Sequence, residues 1–257
     1  MTLELLSTVA ARKHTPRPPA PPPEVFPSPG VPWALILILV GGVALVGLIG
    51  YLSYLSTKRR RLGFQTMARQ LGLSYSLDDP LGLLGEPFAL FQKGDGRGVE
   101  NVVSGVWQGL DLRAFDYWYY DESSDSEGRT SKTYHRFDCV LMLVDARCPR
   151  LSIGEENVLT RIADALTFRD IEFESEEFNR RFNVKGDDPR FATAFCDARM
   201  MQWLLDHGAG YAFEVIGDRA LAWSKRVDPA ELVGVLGTAK AFHERIPEVV
   251  RSLYPNG

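Results

Sequence analysis

The chain has 257 residues, is 45% hydrophobic and carries a net charge of −4 at neutral pH, so it holds enough apolar material for a sizeable core. Seven of its 29 basic residues, Arg12, Lys13, Arg17 and Lys58–Arg61, precede Leu62 with only two of its 33 acidic ones, which leaves the remainder distinctly acidic and a poor electrostatic partner for nucleic acid. Three cysteines, Cys139, Cys148 and Cys196, make no even framework and no C-x-x-C, and they fit a reducing compartment better than a secreted disulfide fold.

Residues 1–32 form a leader with nine prolines between Pro16 and Pro32. Such a segment builds no core, and the expectation is a disordered, proline-rich tail with polyproline II character. Trp33 to Leu55 follows, without a charge or a proline. As a helix it is about 34 Å long at roughly 1.5 Å per residue, enough to cross a hydrocarbon core of roughly 30 Å. Trp33 at one end and Tyr51 and Tyr54 near the other suit interfacial aromatic belts. The sequence therefore predicts one transmembrane helix over 33–55. Lys58, Arg59, Arg60 and Arg61 come directly after it. By the positive-inside rule they place the C-terminal part in the cytoplasm, and their position makes them candidates for contact with anionic lipid headgroups. Gly41, Ala44, Gly47, Gly50 and Ser53 recur every third position. That spacing drifts around the helix and contains no G-x-x-x-G, so homo-oligomerisation through the span is left open.

Residues 56–72 are predicted as a basic juxtamembrane segment and helix, with Leu62, Met67, Ala68 and Leu71 as its inner stripe and Gly72 as its stop. Residues 73–257 are predicted to be a globular α+β domain with a largely antiparallel sheet and packed helices. Ser74 to Leu77 reads as a short strand, Asp78-Asp79-Pro80 as a turn, Phe88 to Gln92 as a short apolar run and Lys93 to Gly98 as a turn. Val99 to Gln108 and Leu110 to Tyr120 make a hairpin around Gly109. Tyr134 to Ala146 is a third strand, apolar on both faces from Val140 onward and hence central. Between them Asp121 to Lys132 is polar and serine-rich, and a long mobile loop is expected.

Glu155 to Leu166 has helical periodicity, and Ile171 to Glu174 reads as a strand. Ser175 is an N-cap candidate for the turn carrying Phe178 and Phe182, and Asp188 before Pro189 is another. Helices are expected through Cys196 and from Arg199 to His207. Tyr211 to Ile216 and Ala220 to Ser224 suggest a second hairpin around Gly217-Asp218. A last helix runs from Pro229 toward Leu253, interrupted at Pro247.

Catalytic and metal signatures are sparse. Lys93 to Gly98 has glycines but no G-K-[ST], and no G-x-S-x-G, H-E-x-x-H or calcium loop occurs. His14, His135, His207 and His243 have no neighbour at ligand spacing. His135 and Cys139 lie about 13 Å apart in a strand, too far to share an ion. Cys148, before Pro149, is the one thiol expected to be exposed, and Asp187-Asp188 reads as a turn and cap. No metal or cofactor is expected. Tyr117-Trp118-Tyr119-Tyr120 puts two aromatics on each face of its strand. Two belong to a core, and an exposed pair would mark a partner surface.

These stretches carry a resemblance. Arg60–Phe64 (R-R-L-G-F), Asn101–Gly109 (N-V-V-S-G-V-W-Q-G), Phe115–Tyr120 (F-D-Y-W-Y-Y) and Phe178–Ala192 (F-N-R-R-F-N-V-K-G-D-D-P-R-F-A) resemble a group of uncharacterised bacterial, mainly actinobacterial, single-pass membrane-anchored proteins. The resemblance implies bacterial cell-membrane placement and no catalytic residue. The sequence thus points to a membrane-tethered cytosolic interaction or sensing module with the lipid bilayer and an unknown protein as partners. The alternatives are an enzyme whose site is assembled from scattered residues, or a domain that binds a lipid or another small ligand.

Overall fold

The structure, a computed structural model, describes residues 33–155 and 169–256. The proline-rich leader and most of the expected helix Glu155 to Leu166 lie outside the described residues. The chain divides into two compact units, Met1–Gly50 and Tyr51–Gly257.

In the first unit, residues 33–50 belong to helix α1 (Trp33–Leu71), and each of them is exposed. Among the described residues α1 is long and apolar enough to cross a membrane. In the second unit, α1 ends at Gly72, which adopts φ +70°, a left-handed conformation that suits glycine at a helix stop. Its buried stripe is Phe64, Met67 and Ala68, preceded one turn earlier by Arg60. Leu62, expected in that stripe, is exposed.

Among the described residues the sheet has seven strands: β1 (Ser74–Ser76), β2 (Gly96–Trp107), β3 (Leu110–Ser124), β4 (Thr130–Gly154), β5 (Arg169–Asp170), β6 (Asn183–Gly186) and β7 (Tyr211–Lys225). All pairings are antiparallel, in the order β1-β2-β3-β4-β6-β5, with β7 also against β4. The predicted α+β class and antiparallel sheet are what the structure shows. β2 and β3 meet at a two-residue turn, where Gln108 and Gly109 both take positive φ. β4 is central as its two-sided apolar run requires: Phe137–Met142 lies between β3 on one edge and β7 on the other.

Helices α2 (Glu176–Arg181), α3 (Pro189–Phe195), α4 (Ala198–His207), α5 (Leu232–Glu244) and α6 (Glu248–Leu253) complete the fold. Their caps follow from local chemistry. Ser175 Oγ accepts from Phe178 N, Asp188 Oδ1 from Arg190 N and Phe191 N, and Asp197 from Met200 N. Pro247 separates α5 from α6 by standing at the N-cap of the latter. Two cores form, one on each face of the sheet. On one face α1 and the later helices bury Phe64, Leu112, Val140, Phe213 and Phe242. On the other, the segment Leu83–Phe91 with its two 3-10 turns covers Phe115, Tyr117, Cys139 and Trp223.

Three local expectations are corrected. The second hairpin around Gly217 is one continuous strand, β7, because β4 is long enough to pair with it throughout. Gly217, at φ +58°, sits opposite Cys148 where the register shifts, so it makes a bulge and not a turn. The long loop Asp121 to Lys132 is mostly strand. Pairing continues to Ser124 and Thr130, supported by a Ser123–Ser131 hydroxyl bond of 2.9 Å and the Glu122–Lys132 ion pair. Ile171 to Glu174 is not a strand; the described strand is the preceding Arg169–Asp170.

Candidate functional site

The feature with the most chemistry lies where α1 meets the sheet. Arg60, expected to face lipid, is instead buried at 2% exposure, and this corrects its assignment. Its Nε and Nη2 donate to Asp116 at 2.6–3.2 Å, Nη2 also donates to Asp138, and Nη1 donates to the Val227 carbonyl at 2.7 Å. Asn101 Nδ2 donates to Asp116 at 2.8 Å, and Val227 N–H donates to Asp138 at 2.7 Å. A guanidinium taken out of water requires charged partners of this kind, because burial without them is very costly. The stripe Phe64, Met67, Ala68 extended back one turn lands on Arg60, which is the sequence signal for its burial.

This network forms the floor of a cleft made of two adjoining hollows of about 340 and 670 Å³. Both are lined by Arg60, Tyr134, Arg136 and Arg226. The smaller adds Thr57, Arg61, Glu100 and Trp118; the larger adds Leu52, Leu55, Arg59 and Val227. Leu52, Leu55 and Arg59 fall on one side of α1 by helical spacing. Lys58 is exposed and lines neither hollow.

The aromatic run divides by face as strand alternation demands. Tyr117 and Tyr119 are buried in the core under the 3-10 segment, where the Tyr117 hydroxyl donates to the Leu90 carbonyl at 2.9 Å and burial raises its pKa. That makes them core residues and removes them from the candidate partner surface. Trp118 and Tyr120 lie on the cleft face, stacked at 12° with centroids 6.3 Å apart. Tyr134 packs against both, at 5.9 and 5.4 Å, and is half exposed. Gly98 and Gly96 lie directly beneath these rings; an added Cβ would fall 2.6 Å from the Trp118 ring or 2.4 Å from the Tyr120 ring. Trp118 Nε1 donates to Glu100 at 3.2 Å, and the Arg136 guanidinium sits 5.4 Å from the Tyr134 ring centre.

Elsewhere the chemistry is quiet. All three cysteines are buried, including Cys148, and its expected exposure is corrected. Burial raises the Cys139 and Cys196 thiols and pushes Cys148 up to about 12, which keeps them protonated and unreactive. His135 stacks on Tyr119 and faces Asp121 at 3.1 Å. Among the described residues no group of His, Cys, Asp or Glu is arranged to hold a metal ion. Among the described residues the strongly perturbed carboxylate is Glu214, which is fully buried away from the cleft. Both its oxygens accept from Ala89 N–H, and burial lifts its pKa to about 7.

No protein-family model matches the chain, and no curated protein matches it. It is similar in structure to a mycobacterial protein, the trehalose monomycolate transport factor A, TtfA. The crystal structure of that protein aligns with this chain at a TM-score of 0.50 and 14% identity, over 74% of this chain and 95% of the other. At that identity the likeness is one of fold.

Proposed function

We propose that this protein is a membrane-tethered, non-catalytic binding module. It takes an amphiphilic ligand from the adjoining leaflet into the cleft between α1 and the sheet, with its folded part on the cytoplasmic side. One observation carries this reading: the same cleft is lined by Leu52 and Leu55, the last apolar turns of the proposed span, and by Trp118, Tyr134, Arg136 and Arg226 of the folded unit. A ligand lying there has a chain-compatible wall at one end and a polar, aromatic wall at the other, the composition expected of a site for a molecule with a head and a tail. That the mycobacterial fold neighbour is a trehalose monomycolate transport factor is compatible with this reading.

The test is a photoreactive benzophenone side chain in place of Tyr134 in the full chain, irradiated in native membranes. Lipid adducts are expected at that position. They are not expected from the same group at Val106, which is 66% exposed and lines neither hollow. Adducts to protein alone would overturn the lipid reading in favour of a partner surface.

A further inference from the structure

We infer that the cleft selects a phosphate-bearing, anionic headgroup. This rests on the preceding reading of the cleft as a ligand site and names what the site grips. The charges around the cleft are unevenly satisfied. In the floor one guanidinium, Arg60, serves two carboxylates, Asp116 and Asp138, so the floor keeps one negative charge, and Arg226 stands 4.0 Å from Asp116 to offset it. Glu100 accepts from Trp118, and Asp228 caps the turn Pro229–Glu231 by accepting from Ala230 N–H. The arginines are not satisfied in the same way. Among the described residues Arg61 and Arg136 make no ion pair, and Arg226 reaches only Asp116, at 4.0 Å.

Arg61 and Arg136 therefore face one hollow with their charge unspent, beside an Arg226 shared with Asp116, and the hollow's four arginines outnumber its two carboxylates, Glu100 and Asp116, in a chain whose net charge is negative. Planar guanidinium forks match phosphate oxygens in pairs, which is why arginine is the residue most used for that group. Arg136 is held against the Tyr134 ring, which limits the rotamer freedom it would lose on binding. Glu100 keeps its charge, since the Trp118 N–H that it accepts is neutral, and the arginines of the hollow outweigh it.

The experiment uses the full chain with benzophenone at residue 134, in nanodiscs of equal parts phosphatidylcholine and phosphatidylglycerol, with adducts weighed by mass spectrometry. Adducts enriched in the anionic lipid are expected, with the enrichment falling by about fivefold for each of Arg136→Gln and Arg226→Gln. Both arginines are exposed; Arg136 is outside the buried network and Arg226 meets it only at Asp116, 4.0 Å away, so thermal unfolding of both variants is measured alongside and is expected to match that of the parent. Suppression of the adduct by inorganic phosphate would keep the anionic site and identify free phosphate as its source. Equal adducts from both lipids, unchanged in the two variants, would overturn the headgroup inference and leave the lipid reading standing. No lipid adduct in any composition would overturn both.

Discussion

Glu214 shows what a single buried group does to the energetics of this fold. It sits on β7 and reaches across the sheet face to the Ala89 N–H, fastening the 3-10 segment that covers the second core. Desolvation dominates its titration and lifts its pKa from 4.5 to about 7; the Ala89 bond and Arg150 oppose the shift. The native state therefore holds a proton that the unfolded chain gives up at lower pH. Stability is full below about 4.5, falls as pH rises toward 7 and levels off above it. The loss is on the order of 3 kcal/mol. Glu214→Gln keeps an acceptor for Ala89 and has no proton to lose, so its stability should be flat across that window. Denaturant unfolding at a series of pH values in one detergent measures both slopes, and an unchanged slope in the variant would remove Glu214 as the cause.

At the scale of elements, the decisive contact is the close approach of α1 to the turn at Pro229. Gly63 is the residue that permits it: an added Cβ would lie 2.5 Å from Pro229 Cβ, and a proline ring cannot swing aside. Gly63→Ala should destabilise the protein by about 1–3 kcal/mol through overpacking. Gly234→Ala is its control. That glycine is exposed in α5 with nothing near its missing Cβ, so alanine there should stabilise by up to about 1 kcal/mol. Thermal unfolding of the two variants side by side is the measurement, and a neutral Gly63→Ala would deny the tight contact. Elements were legible in the sequence where local chemistry decides them. Ser175 and Asp188 had to cap helices, and the two-sided apolar run from Val140 had to be central. Long-range pairing was not legible. Gly217-Asp218 looks like a turn until β4 is known to extend far enough to hold both halves of β7. Arg60 stands among like charges, and only the helix phase set by Phe64 and Met67 distinguishes the buried one from the three exposed ones. The cleft itself was half visible. Its aromatics and the arginines of α1 drew notice separately, while Arg136 and Arg226 arrive from β4 and the end of β7, whose register no local pattern reveals.

For the whole molecule, the open quantity is orientation across the bilayer. Topology is chosen during insertion, when the chain is unfolded and Lys58, Arg59, Arg60 and Arg61 all bear on the choice, whatever Arg60 does after folding. Arg12, Lys13 and Arg17 oppose them, but from about 16 or more residues beyond the other end of the span, where their influence is weaker. On that balance the proposal is a cytoplasmic C-terminal unit. With tags at both ends, protease added to intact spheroplasts should remove the N-terminal tag and leave the C-terminal one on a fragment that contains the folded unit. Lysis before digestion should expose the C-terminal tag as well. Loss of the C-terminal tag from intact cells, with the N-terminal one protected, would reverse the orientation and put the arginine-lined cleft against the outer leaflet, where the anionic lipids it is proposed to read would have to be sought instead.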